Sequence, residues 1–415
     1  MLILGGGWIE NAEVTELAEA TTAVTYGSPQ LRELIDYIGD GAIGRDERDE
    51  LPHDAIAAVK RARLGAIRLP VELGGGGATL VEVYKLFIEL GAADSNVAHI
   101  VRSHFGVVEN LLRGTRPEDA QWLERVAQGE LIGSASTELS AKAGATDFPY
   151  QTAISHGPKG LRLNGTKHYT TGSLYMDWLI VGVTDVDGGK AEVIIPTDRP
   201  GVVRHNDWDG FGQRFTGSGT VIFDDVVVEP GDYFVKGGFT RDGLTYRATF
   251  FHIQLSAMIA GILRRVASDA VDVVHAKKRA FYHAITDAPT DDPIVQYSVG
   301  LLHSQAFAAE AMVLAAGAAL EEAYAAAGTP AEPELSLHAT LLNAKTKVVL
   351  DEIANRAASE LFDVGGGSLV RRSAHLDRHW RNIRSIAAHN PKTLKAVAVG
   401  NHALNGTPPP NQGFF

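Results

Sequence analysis

The sequence predicts an α+β, multidomain chain: a helical N-terminal domain, a central antiparallel β domain and a C-terminal four-helix bundle. Three observations carry this. Apolar residues recur at helical spacing near both ends, β-branched runs broken by turn residues fill the middle, and four long helical segments with short links close the chain. The expected divisions are 1–130, 131–238 and 239–405, with a tail at 406–415.

The first part, from about residue 28 to 130, is patterned for helices. In "LPHDAIAAVKRARLG", Pro52 suits a first turn, Ile56, Val59 and Leu64 share a face, and Gly65 offers a stop. The charged cluster "RDERDE" (45–50) reads as a solvated loop. "LGGGGAT" (73–79) lacks the G-x-G-x-x-G spacing and a preceding strand, so it reads as a mobile connection and not a dinucleotide loop.

The middle part holds "LRLNGTKHYTTG", "WLIVGVTDVDGGKAEVIIP" and "GTVIFDDVVVEP", with a hairpin signal at Asp187-Gly188-Gly189. The last part predicts helices over about 243–282, 293–328, 334–362 and 372–402, broken by "DAPTDDP", "GTPAEP" and "DVGGG". Long rods with short links form antiparallel bundles.

The totals narrow the function. The chain has 415 residues, 45% of them hydrophobic and 21% charged, and a formal net charge of -12. Such a field repels nucleic acid and anionic membranes, so neither is expected as a partner. The absence of cysteine excludes disulfides, thiolate metal sites and a cysteine nucleophile; no metal site is expected, and a cytoplasmic location fits. "MLILGGGWIENAE" lacks the basic and apolar regions of a signal peptide, and Phe250 to Leu263, interrupted by His252 and Gln254, is too short to span a bilayer. A soluble protein is expected.

One stretch stands out. "LDRHWRNIRSIAAHNP" (376–391) gathers three arginines, two histidines and a tryptophan on one predicted helix that halts at Asn390-Pro391. Arg378, Arg381 and Arg384 recur every third residue and read as ion-pairing groups, while Trp380 and Ile383 read as core.

The order of the three parts, together with "LPVELGGGGATL", "DSNVAHIVRSHFGVVE", "NGTKHYTTGSLYMDW", "WDGFGQRFTGSGTVIFDDVVV" and "LDRHWRNIRSIAAHNP", resembles the acyl-CoA dehydrogenase fold. More closely it is similar to that fold's two-component flavin monooxygenases, such as dibenzothiophene monooxygenase and the oxidoreductases of sulfone use. The resemblance implies a homotetramer with flavin between the β domain and the bundle. It places Thr137 and Thr171 at the flavin ring, Arg279 on the phosphate of a neighbouring subunit's flavin, and His389 and His104 beside the reactive edge. By residue type alone, the threonines are ordinary strand residues, Arg279 is a basic helix end and a single histidine is a core group. In "WDGFGQRFTGSG", the glycines and Ser218 are expected to cover a substrate cavity that Phe211 or Phe215 walls.

Two departures from the dehydrogenase pattern decide the expected chemistry. A dehydrogenase needs a carboxylate base, yet no glutamate follows Glu360 and no acid lies between Asp242 and Asp269. The segment "LFDVGGGS" also lacks the glutamine expected before a double glycine in FAD-binding relatives, which favours FMN over FAD. The resemblance then implies a monooxygenase that receives reduced FMN from a separate NAD(P)H:flavin reductase. With O2 it would form a C4a-hydroperoxide and oxygenate a small organosulfur compound, with His389, His104 and Thr171 as catalytic groups. The alternatives are an FAD-dependent acyl-CoA dehydrogenase or nitroalkane oxidase, and a non-catalytic assembly protein of the same fold.

Overall fold

The computed structural model describes residues 22–114, 116–139, 150–158, 160–232, 234–236, 245–277 and 280–411. Four helices come first: α1 (Pro29–Arg48), α2 (His53–Arg61), α3 (Leu80–Leu112) and α4 (Asp119–Ala127). Strands follow: β1 (Ile132–Ala135), β2 (Ala153–Gly157), β3 (Gly160–Lys167), β4 (Trp178–Thr184), β5 (Lys190–Pro196), β6 (Val202–Arg204), β7 (Val221–Val228) and β8 (Phe234–Lys236). Five helices close the chain: α5 (Tyr246–Ala276), α6 (Pro293–Ala325), α7 (Glu332–Glu360), α8 (Asp377–Ala387) and α9 (Lys392–Asn405).

The sheet runs β6-β7-β3-β2-β4-β5-β8, with β1 pairing β4. The predicted hairpin joins β4 to β5 in antiparallel register from Trp178↔Pro196 to Thr184↔Lys190. Its turn is closed by Asp185, whose carboxylate accepts the backbone N–H groups of Asp187 and Gly189. The sheet is antiparallel apart from β4's pairings with β1 and β2, which are parallel. Those pairings return the chain from the helical part directly into the sheet centre.

Helix α3 is the hinge between the parts. Thr79 caps it in a reciprocal box with Glu82. At Asp94 the backbone leaves helical geometry (φ -151°, ψ 107°), and the Asp94 carboxylate accepts the Asn96 N–H at 2.9 Å, capping a second helical stretch. Asp94 in turn takes two hydrogen bonds from buried Arg45. Arg45 therefore belongs to the end of α1 and to the core, a correction to the loop expected at 45–50: a buried cation persists where a buried carboxylate meets it.

Two glycines let α3 and α5 approach closely. A Cβ at Gly91 would meet the Met258 carbonyl at 2.7 Å, and one at Gly261 would meet the Ile88 carbonyl at 2.1 Å. Helix α6 is long and apolar enough to cross a bilayer by length and composition. One face packs between α5 and α7 through Ala309, Val313, Ala316 and Leu320. The predicted fourth rod is two short helices: Pro391 cannot continue α8, and the chain restarts as α9.

Candidate active site

The break between α8 and α9 sets His389 at the edge of the bundle. Lys347 of α7 donates to the Ala387 carbonyl at 2.9 Å and to Asp351 at 2.6 Å. A cation on the last carbonyls of α8 is favourable, and it pins the chain two residues before His389. His389 is exposed as a residue, in a recess whose charges come from Arg102, Lys347 and Lys395. Its ring centroid lies 6.5 Å from that of His252 on α5. The surrounding protein and the charges of Arg102, Lys347 and Lys395 hold its protonated form unfavourable.

The second stretch of α3 brings His99 and Arg102 to the same recess. His99 is buried, and its Nδ1 lies 3.0 Å from Gln213 Oε1. The Gln213 amide donates to Ser95 Oγ at 2.8 Å, leaving its oxygen to accept from His99 Nδ1–H. His99 Nε2 then carries a bare lone pair with no partner among the described residues. Burial, Arg102 and His389 push His99 well below the ordinary histidine range, so it is neutral.

Gln213 is the joint of this arrangement. Its backbone is left-handed (φ 54°), a conformation that costs a non-glycine residue energy and is retained where surrounding contacts fix it. The Asn382 carboxamide on α8 accepts the Gln213 N–H at 2.7 Å, and Asn96 accepts the Phe215 N–H at 3.3 Å. The same loop carries a hydroxyl chain: Thr171 Oγ1 lies 2.8 Å from Ser218 Oγ, which lies 2.7 Å from Thr216 Oγ1, which donates to the Gln213 carbonyl. Thr171 and Ser218 are thereby linked to His99 through one loop.

The other predicted residues fall differently. Thr137 bridges to His168, three residues before Thr171. Arg279 lies outside the described residues. Phe215 is buried, whereas Phe211 is 54% exposed and stacks on Trp380 with centroids 5.7 Å apart. Trp380, expected in the core, is 39% exposed; Ile383 is buried as expected.

His104 is fully buried and serves as a structural joint. Its Nδ1 accepts the Ile132 N–H at 3.0 Å, so its Nε2–H donates to the Gly65 carbonyl at 3.1 Å. A Cβ at position 65 would meet His104 Nε2 at 2.5 Å, so glycine is needed there for this approach more than as a helix stop. Both ring nitrogens are used, which leaves His104 none for a ligand. Burial lowers its pKa to about 4.

His99, Arg102, His252 and Gln213 were missed as site residues from sequence, although three of them sit in segments already singled out. The available signal was polar side chains inside apolar helical runs: His99 and Arg102 one turn apart on α3, and His252 in the apolar stretch of α5.

Carboxylates near the site are engaged. Asp269 on α5 accepts from His379 at 2.6 Å and Arg378 at 3.2 Å, with Arg265 at 2.6 Å. Burial opposes its charge, but the His379 hydrogen bond and the neighbouring cations outweigh that and bring its pKa down to about 2. Arg381 pairs with Asp377 and Asp46, and His375 with Asp46.

The orphaned polar atoms decide whether a flavin-sized polar group suits these residues. His99 Nε2, Arg102 Nε, Ser103 Oγ, His252 Nδ1 and both polar atoms of the Asn390 amide are buried without partners among the described residues. Buried polar groups are ordinarily satisfied, and clusters of exceptions mark ligand sites. A group rich in carbonyl and N–H functions, such as a flavin ring, fits that donor and acceptor set.

Comparison with known proteins agrees with the geometry. The models of the acyl-CoA dehydrogenase N-terminal, middle and C-terminal domains match residues 35–130, 133–226 and 253–391 in that order. The chain belongs to the acyl-CoA dehydrogenase family. Within that family it is 29% identical over 391 residues to dibenzothiophene monooxygenase of Rhodococcus erythropolis, covering 88% of this chain and 90% of the relative. It is 25% identical over 383 residues to the probable FMNH2-dependent monooxygenase SfnC of Pseudomonas putida, covering 91% and 94%. Among solved structures of the acyl-CoA dehydrogenase fold, methanesulfinate monooxygenase MsuC of Pseudomonas fluorescens superposes with a TM-score of 0.82 at 26% identity, covering 94% of this chain and all of that one. FMN-bound TdsC of Paenibacillus sp. A11-2 superposes at 0.84 and 25%, covering 93% and 99%.

Proposed function

We propose that this chain is a two-component monooxygenase that uses reduced FMN and O2 to oxygenate a small organosulfur compound. The observation that carries the reading is chemical: the site offers neutral histidines where a dehydrogenase of the family needs a free carboxylate. Residues Tyr246–Ser268 of α5 contain no acid, and Asp269 is held ionised by two arginines and a histidine. Asp351 is buried nearby and raised by burial; its Oδ2 accepts from the Lys347 ammonium, which holds it in an ion pair, while its Oδ1 has no partner among the described residues. The relatives named as FMNH2-dependent and dibenzothiophene monooxygenases support the same reaction class.

Bound reduced FMN would supply the two electrons needed to activate O2. Thr171, Ser218 and Thr137 are the residues that would hold its ring, and the phosphate role of Arg279 rests on the family resemblance alone. His99 and His389 present neutral imidazoles to the recess, able to hold or pass a proton while leaving nearby electron-rich groups uncharged. Gln213 fixes the His99 tautomer. His104 is a positioning residue that joins α3 to β1.

The reading includes a homotetramer in the cytoplasm, served by a separate NAD(P)H:flavin reductase. The outward faces of α6 (Ile294, Tyr297, Phe307) and α9 (Leu394, Val397, Leu404) are 60–84% exposed in the single chain, which supports burial against further copies. The test mixes anaerobic protein and reduced FMN with oxygenated buffer containing isotopically labelled O2 and a sulfur substrate. Reoxidation slower than that of free reduced FMN, faster again in His389→Ala, with label in the product, is expected. Reoxidation at the free-flavin rate and unlabelled substrate would sink the reading.

A further inference from the structure

Arg102 contrasts with the buried and half-buried arginines that are paired with carboxylates. Arg45, Arg68, Arg113 and Arg378 each meet a carboxylate: Asp94, Glu109, Glu332 and Asp269 respectively. Arg102 meets none among the described residues. Its Nε is buried without a partner, and its guanidinium lies 5.6 Å from the centroid of the Phe251 ring. His252, 4% exposed with Nδ1 unpartnered, and His389 lie within reach of its charge, and Asn390, next to His389 in the chain, is 2% exposed with both amide atoms unpartnered among the described residues. Lys347 and Lys395, both buried, act on His252 and His389, Asp351 offsets the charge at Lys347, and burial brings the Lys395 pKa down to about 7.

A neutral sulfide or fused aromatic entering this recess would desolvate a guanidinium and its neighbouring donors while giving them nothing to bind. Leaving such groups unmet is expensive, and sites built this way reject ligands that lack the matching group. An oxyanion satisfies them: guanidinium is suited to a two-oxygen acceptor, and the Phe251 ring offers an apolar wall for a short alkyl group.

We propose that Arg102 is the specificity-determining residue of this site, selecting a small organosulfur substrate with an oxyanion head, of the alkanesulfinate type, over neutral sulfur compounds. The proposal rests on the monooxygenase reading given above. The reaction balances: the sulfur lone pair forms a bond to one atom of O2, taking sulfinate to sulfonate. The other oxygen leaves as water with the two electrons and two protons of reduced FMN.

A binding experiment tests the selection without turnover. Methanesulfonate and its neutral isostere dimethyl sulfone are titrated calorimetrically into the full chain with and without oxidised FMN. Methanesulfonate is expected to bind about tenfold or more tightly than the sulfone, the gap being lost in Arg102→Gln and partly kept in Arg102→Lys. Equal binding of the two ligands, or a gap that survives Arg102→Gln, overturns the proposal. So does a loss in Arg102→Gln of FMN affinity with the gap unchanged, since Arg102 would then serve the flavin. If Arg102→Gln does not fold, the gap and its salt dependence in Arg102→Lys against the parent chain decide. A persisting gap with no oxygenated product from sulfinate leaves the oxyanion site standing and removes the oxygenase reading alone.

Discussion

His99 and His104 lie five residues apart on the same helix, and their surroundings could hardly differ more. At His104 each nitrogen has a backbone partner, and the ring fastens α3 to β1 and to Gly65. At His99 one nitrogen is fixed by Gln213 and the other is bare among the described residues, as are Nε of Arg102 and Nδ1 of His252. A joint uses all its hydrogen bonds, whereas a site holds some in reserve. Residue type does not separate the two; satisfaction does.

The sharpest break of that comparison is on the satisfied side. Asp269→Ala strands Arg265, Arg378 and buried His379, and a loss of about 3–5 kcal/mol in denaturant unfolding is expected. A loss under 1 kcal/mol would show that the network is not structural.

Acid should act on the same class. His104 and His379 have folded pKa values of about 4, below the ordinary 6.5, so the unfolded chain binds more protons between those values. Their contribution is present above pH 6.5 and is lost as pH falls toward 4, on the order of a few kcal/mol. Unfolding free energy measured from pH 7.5 to 4.5 should therefore decline, and the decline should be shallower in His104→Gln.

On the unsatisfied side the effects should move to activity. His99→Leu is expected to lower kcat about a hundredfold with little change in Tm, because it removes a lone pair that no described residue uses. Unchanged kcat would return His99 to the core. His104→Leu should do the reverse, costing about 1–3 kcal/mol of stability while the folded fraction keeps its turnover. Smallest of all, Phe211→Ala loses an exposed stack on Trp380 and should change stability by about 0.5 kcal/mol, seen as a slight shift in Tm.

Much of the fold was legible in the residues. Helical periodicity located the long helices, Asp187-Gly188-Gly189 located the β4–β5 turn, and Pro391 located the break after α8, because each acts through local backbone geometry. Arg45 and Trp380 were misplaced for the opposite reason. A charged residue in a charged run was assigned to solvent and an aromatic in a helix to the core, while a partner 49 residues away buries the first and the packing of a single chain exposes the second.

The site divides along the same line. By itself the sequence determined the family's architecture and the lack of an acid in the two segments where the family's base is expected, since composition and motif order are properties of the chain alone. It also brought Thr171, Ser218 and His389 forward as candidates. Only the tertiary structure decided which histidine on α3 faces the recess, that Gln213 joins it to the hydroxyl chain, and that Arg102 meets no carboxylate among the described residues. Hydrogen-bond satisfaction depends on groups far apart in sequence, and it exists only once the helices and the sheet have packed.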